Sequence, residues 1–354
     1  MAEQNYFEEQ KLKDTKHLRE LTSQLPYFMG EFFRSLSQST SVKTCVAYAY
    51  DLKLFFQYMI QNHNGFNEKT METLSINDLS LIESEDIDRF IEFVTYYQKL
   101  DPQNPEMLIT YANDEKGKVR KLSAIRSMYR YFYKRKKVKS NPAAIVDAPK
   151  VHDKAIVRLE VNEMCDLLDE VEKGENLTPH QKRYHNYTQK RDLAIVTLLM
   201  GTGMRVSECV GINISDIDFS TNGIKITRKG GNQVVLYFGD EVHDAICDYI
   251  DERKKNPADT EDALFLSMQG KRINVRSVQN LVKKYSQLSV KLKNISPHKL
   301  RSTYGTNLYH ETGDIYLVAD VLGHSDVNTT KRHYAQMEDN RRKSAAKIIK
   351  LRKE

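Results

Sequence analysis

Residues 191–212, RDLAIVTLLMGTGMRVSECVGI, constrain the fold more than any other stretch. They begin as a strongly apolar helix that stops at Gly201-Thr202-Gly203 and restarts at Met204. Glycine permits close backbone approach and a sharp change of direction, so such a break aims Arg205 inward while Ser207 and Glu208 start the next helix. A chain of 354 residues exceeds the size at which one core usually stops growing, and two domains are expected.

The rest of the chain predicts a mainly α fold with a small antiparallel β-sheet. Residues 1–150 read as a helical domain with a linker, and 151–354 as a second domain. In the first, KLKDTKHLRE reads as a short surface helix, and PYFMGEFFRSLSQST as an apolar helix ending in a Ser/Thr-rich turn. SVKTCVAYAYDLKLFFQYMI places Val42, Cys45, Leu52, Phe55 or Phe56 and Met59 at helical spacing. Residues 60–80 read largely as loop. ESEDIDRFIEFVTYYQKL is expected as one helix capped by Ser84, its stripe running through Ile87, Phe90, Ile91, Val94 and Tyr97. Residues 101–118, interrupted by Pro102, Pro105 and Gly117, read as a long surface connection. A helix follows, with Leu122, Ile125, Met128, Tyr129 and Phe132 on one face.

In the second domain, NEMCDLLDEVE, DEVHDAICDYIDERK and INVRSVQNLVKKYSQLSV are expected helices. The stretch GENLTPHQKRYHNYTQ shows no period and reads as a polar, inserted loop. Ile224 and Ile226, the turn Gly230-Gly231, then Val234, Leu236 and Phe238 predict a hairpin, the last two strands of a three-stranded sheet. The closing RRKSAAKIIKLRKE is expected as a short amphipathic helix.

Net charge is +6, from 54 Lys and Arg against 48 Asp and Glu, so a polyanionic partner depends on where the charge sits. The densest positive run is Lys134, Arg135, Lys136 and Lys137, continued by Lys139. Lys43 and Thr44 lie on the polar side of their helix, and Arg120 and Lys121 on another. Arg276, Gln279 and Lys283 decorate a third, where Gln reads adenine edges and Arg or Lys holds guanine or phosphate. Four scattered cysteines, Cys45, Cys165, Cys209 and Cys247, form no CxxC pair, and neither a disulfide nor a structural metal is expected. The opening residues lack a secretory pattern, and no window approaches the roughly 18 apolar residues of a membrane span. A cytoplasmic protein without membrane insertion is expected.

Residues 296–334 carry the chemistry: SPHKLRSTYGTNLYHETGDIYLVADVLGHSDVNTTKRHY. His298 and Arg301 are three apart and share a helical face. Leu322-Gly323-His324 follows, with Tyr334 ten residues beyond His324. A tyrosine hydroxyl, with a free pKa of about 10, needs cationic or hydrogen-bonding help before it attacks, and this cluster supplies it.

The ordered set of TGxRxSE at Arg205, HxxR, LGH and a final tyrosine resembles the tyrosine recombinases, the phage integrase family. The resemblance covers nearly the whole chain and is strongest to the single-protein Xer recombinases of streptococci and lactococci. Thr44, Tyr48, Asp51 and Leu52 also resemble the first helix of the family's core-binding domain, which is SAM-like. The resemblance implies a two-domain recombinase, 1–150 core-binding and 151–354 catalytic, with Arg205, Lys229, His298, Arg301, His324 and Tyr334 as the catalytic set. Arg228 is the neighbouring rival for the lysine position, and Glu208 an orienting partner of Arg205.

It further implies cleavage and rejoining of DNA through a 3′-phosphotyrosyl link, without metal or other cofactor. A homotetramer would hold two double-stranded recombination sites, with chromosome-dimer resolution at a terminus-region site and a DNA translocase as activator. A phage or transposon integrase and a catalytically silent DNA-binding protein are the alternatives. Tyr334 follows His324 by one residue more than in many relatives, but no tyrosine lies beyond it.

Overall fold

The structure, a computed structural model, describes residues 6–101, 104, 106–152, 157–228, 231–255, 261–323 and 327. The chain divides into two compact units, Met1–Asp153 and Lys154–Glu354. Each is mainly helical with one small antiparallel sheet; only the sheet of the second unit was expected from the sequence.

In the first unit, α1 (Tyr6–Thr22), α2 (Met29–Ser39), α4 (Ser84–Phe93) and α5 (Glu115–Lys134) surround α3 (Val42–Asn62). Ser41 starts α3 by accepting from the Thr44 amide at 3.3 Å, replacing an intrahelical partner that a first turn lacks. The helix then buries Cys45, Ala49, Leu52, Phe55, Phe56 and Met59, and α5 meets it with Leu122, Ile125, Met128 and Phe132. Helix α1 is longer than the surface helix expected and buries Leu18 and Leu21.

Two expectations fail between α4 and α5. Helix α4 stops at Phe93 instead of running on to Leu100, and Glu83 precedes it as the cap, its amide donating to Asp86 Oδ2 at 2.9 Å. The chain then forms a hairpin, β1 (Tyr96–Leu100) with β2 (Leu108–Ala112), inside what read as helix and surface connection. Aromatic and β-branched residues favour the pleat. Tyr97 and Tyr111 face each other across the ladder with rings stacked 5.3 Å apart.

The second unit is built around α7 (Pro179–Thr202), against which α6 (Val161–Lys173), α9 (Asp240–Lys254), α10 (Val275–Ser289) and α11 (Pro297–Thr312) pack. The apolar half of α7 buries Ala194, Ile195, Val196, Leu198, Leu199 and Met200. Its polar half is the stretch expected as an inserted loop. Thr178 and Gln181 close a reciprocal capping box at 3.3 and 2.9 Å, and Pro179 occupies the first turn, where its missing N–H costs nothing.

That polar half folds because its buried side chains are polar and satisfied. Asp192, 1% exposed, accepts from Arg191 Nη2 at 2.7 Å, Thr188 Oγ1 at 3.2 Å and Tyr285 Oη at 3.0 Å. His185 Nδ1 lies 3.0 Å from the same Tyr285 hydroxyl.

The remaining elements are α8 (Val206–Gly211), a three-stranded sheet of β3 (Ile217–Asp218), β4 (Gly223–Thr227) and β5 (Gln233–Tyr237), and α12 (Ile315–Leu322). The sheet matches the predicted hairpin and its extra strand. The C-terminal amphipathic helix expected from the sequence lies outside the described residues. All four cysteines are free, and no described helix is long and apolar enough to cross a membrane.

Replacing Tyr285 by Phe removes the buried hydroxyl that Asp192 and His185 share, leaving Asp192 with Arg191 and Thr188. We expect a loss of about 1–3 kcal/mol of unfolding free energy, read from the urea midpoint; an unchanged midpoint would show that this network does not hold α10 to α7.

Candidate active site

The site is assembled on the end of α12. This short helix is apolar, and Val318 and Leu322 pack with Tyr309 of α11. It ends at Gly323, whose φ of +61° is left-handed and suits a residue without a Cβ. The last carbonyls of a helix lack intrahelical partners and carry the negative end of its dipole. Here three arginines supply donors. Arg228 donates to Asp320 O at 3.0 Å and to Val321 O at 2.8 Å, Arg301 to Leu322 O, and Arg205 to Gly323 O at 3.1 Å.

Two of these arginines are also fixed from a second side. Arg301, on α11 and 5% exposed, also donates to Gly203 O at 2.7 Å. That carbonyl is available because α7 ends at Gly203, with φ +61°. Arg205 is the N-cap of α8 and is gripped by Glu208. The carboxylate, 3% exposed, accepts from the Arg205 amide at 2.7 Å and from its Nη1 at 2.8 Å. The break at Gly201–Gly203 thus turns Arg205 inward, as expected, and the same turn holds Arg301.

Two arginines from different helices are brought onto the adjacent carbonyls of Leu322 and Gly323. The contacts with Glu208 and Gly323 occupy two of the five N–H donors of the Arg205 guanidinium. A dication of this kind suits a phosphate, whose oxygens accept from several guanidinium donors at once. His298 lies one turn before Arg301 on α11 and is exposed. Lys229, His324 and Tyr334 lie outside the described residues, although Arg228 and Gly323, the immediate neighbours of the first two, are described. The guanidinium of Arg228 is held on two carbonyls, with its planar fork committed to the helix end.

Other groups near the site are packing residues. Burial raises the hydroxyl pKa of Tyr304, and Tyr309 is 6% exposed in the small core beneath α12. Cys209 is fully buried, and its thiol is pushed far up, first by burial and then by Glu208, so it is unreactive. Among the described residues no cluster of His, Cys, Asp or Glu suits a metal ion.

The residues expected at DNA divide by environment. Lys43, Lys134, Arg276 and Lys283 are exposed, while Thr44 and Gln279 are half-buried. Arg135 lies over the Tyr131 ring at 4.0 Å, Lys136 takes a left-handed turn with φ +55°, and Lys137 pairs with Glu31 at 2.6 Å. Arg120 is exposed and reaches Asp51 at 3.0 Å.

Lys121 corrects the expectation. It is 4% exposed, donates to Asn113 Oδ1 at 2.7 Å and lies 3.6 Å from Asp51. Burial, the largest influence, lowers its pKa and raises that of Asp51. It is an internal cation holding α5 to α3, not a surface contact. The link from Asp192 to Tyr285 and the Arg228 grip were missed because their partners lie far away in sequence.

A side chain at position 203 would collide with the Tyr304 ring as well as straining the left-handed backbone. Gly203→Ala is expected to destabilise the protein by more than about 1 kcal/mol, measured by urea unfolding. A stability equal to the unaltered chain would contradict the packing described.

Comparisons with known proteins agree with this geometry. The model of the phage integrase family matches residues 157–341. Tyrosine recombinase XerC of Caldanaerobacter subterraneus subsp. tengcongensis is 31% identical over 331 residues, covering 90% of this chain and 86% of the relative. Tyrosine recombinase XerD of Staphylococcus epidermidis is 29% identical over 226 residues, covering 63% and 73%. Among solved structures, XerH bound to difH substrate has a TM-score of 0.59 at 19% identity, covering 84% of this chain and 78% of that one. A lambda integrase tetramer bound to a Holliday junction has the same TM-score, 0.59, at 13% identity, covering 86% and 75%. With a family match over more than half its length and a near full-length relative, the chain belongs to the phage integrase family, the tyrosine recombinases.

Proposed function

We propose that this recombinase cleaves and rejoins DNA through a 3′-phosphotyrosyl intermediate made by Tyr334. The observation that supports this reading best is the placement of Arg205 and Arg301 on the adjacent carbonyls of Gly323 and Leu322, which precede His324 in the sequence. Tyr334 attacks the phosphorus, and the 5′-hydroxyl departs. A 5′-hydroxyl of the second strand then attacks the link, so bond energy is retained and no ATP is needed. Arg205 and Arg301 hold the nonbridging oxygens, where fixed donors stabilise the charge redistributed in the transition state. Lys229 is the general acid for the departing oxygen, His298 assists proton transfer, and His324 hydrogen-bonds the phosphate. The cations supply the charge that metal ions supply in other phosphoryl-transfer enzymes, so the reading is metal-independent.

The exposed cations at Lys43, Arg120, Lys134, Arg135 and Lys136 in residues 1–150, and at Arg276 and Lys283 in 151–354, are suited to phosphate contact, and Gln279 to a base edge. Two sites held by a homotetramer complete the assembly. The Xer relatives favour chromosome-dimer resolution at a terminus-region site in the cytoplasm, activated by a DNA translocase. The solved Tn1549 transposon integrase, with a TM-score of 0.56 and 17% identity, shares the fold, so mobile-element integration is the second reading.

Nicked duplexes carrying candidate terminus sites, or sites from element boundaries, would trap the covalent adduct. We expect protein attached to the 3′ DNA end with the unaltered chain and none with Tyr334→Phe. Adduct retained by the variant would overturn the assignment of the nucleophile.

A further inference from the structure

Arg228 has no part in the chemistry above, yet its surroundings are built. Its backbone closes the β4–β5 turn, the amide donating to Asn232 O at 2.8 Å and the carbonyl accepting from the Gly231 amide at 3.0 Å. The side chain then leaves the hairpin and grips two successive carbonyls at the end of α12, Asp320 O at 3.0 Å and Val321 O at 2.8 Å. A guanidinium presents its donors as a rigid planar fork, so a two-point grip fixes direction as well as distance. Gly323 leaves room for it, since a Cβ there would fall on the guanidinium itself.

Resting on the recombinase reading, we infer that Arg228 is a positioning residue that ties the hairpin turn to the helix end. The residue after Arg228 is the proton donor Lys229, and the helix end carries Arg205, Arg301 and, one residue past Gly323, His324. The clamp fixes Arg228, the residue before the proton donor, in the same frame as the phosphate-holding arginines. In cleavage, the bond from the Tyr334 oxygen to phosphorus forms while the bond from phosphorus to O5′ breaks. The phenol proton passes to His298, and Lys229 delivers a proton to O5′. A lysine displaced with its turn slows the bond-breaking half of this step and leaves the arginines loaded.

The test compares full-length unaltered protein, Arg228→Ala and Arg228→Lys in single-turnover adduct formation. The nicked duplexes carry either oxygen or sulfur at the bridging 5′ position. A thiol is acidic, with a pKa of about 8.5, so a 5′-thiolate departs without a proton. We expect Arg228→Ala to be slower by about 100-fold on the oxygen substrate, the scale of a misplaced catalytic group. On sulfur it should return to within a few-fold of the unaltered chain, with DNA affinity unchanged. Arg228→Lys, whose ammonium lacks the planar fork, should be intermediate on oxygen and carries the comparison if the alanine variant does not fold.

Full speed on oxygen for both variants overturns the inference. So does an equal loss on oxygen and sulfur, which would place Arg228 in the support of the arginine pair. Absence of any adduct from the unaltered chain on every site, or an adduct that survives Tyr334→Phe, would instead count against the recombinase reading on which it rests.

Discussion

The carbonyls of residues 320–323 at the end of α12 hold this site together. A helix end leaves such carbonyls without their i+4 amides, and of these Asp320 O takes the Gly323 amide, at 2.9 Å. In most helices water or a capping glycine satisfies them. Here guanidiniums do so, and three cations from the β4–β5 turn, the α7–α8 junction and α11 meet at the helix end. Like charges at such distances repel, and what offsets this is the negative end of the helix dipole together with the Glu208 carboxylate. These contacts are made within the protein itself, and under the proposed reading they supply the preorganisation that transition-state stabilisation needs.

Burying Arg301 to 5% exposure is costly unless its hydrogen bonds are made. The Gly203 carbonyl makes one of them, and it exists only because an apolar helix stops there in a left-handed turn. The large core around α7 thus meets the cationic site at this backbone oxygen. The same helix anchors the Asp192 network at its polar end, so one element connects a structural core to a cationic site.

Much of this was legible from local pattern. The stop at Gly201–Gly203, the inward Arg205 and the three-residue spacing of His298 and Arg301 depend on neighbouring residues, and each appears where expected. The clamp was not legible, because Arg205 and Gly323 are 118 residues apart and a backbone acceptor leaves no mark in sequence. The first half of α7 was missed because it buries His185 and Thr188, polar residues that carry no apolar period. The β1–β2 hairpin was missed because Tyr97 also falls on the helical stripe of α4, and only its partner strand decides between the two. Lys121 looked like a surface cation because its acidic partner, Asp51, sits on another helix.

If the α12 end presents Arg205 and Arg301 to a phosphate, their work is to neutralise its charge. Cleavage by Arg301→Ala, measured on a nicked duplex with an ordinary scissile phosphate and on one with a neutral methylphosphonate there, separates charge neutralisation from mere folding. The prediction is a loss on the order of 100-fold or more on phosphate, with activity restored on methylphosphonate. Equal loss on both substrates, or no loss on phosphate, would contradict the role given to this arginine pair.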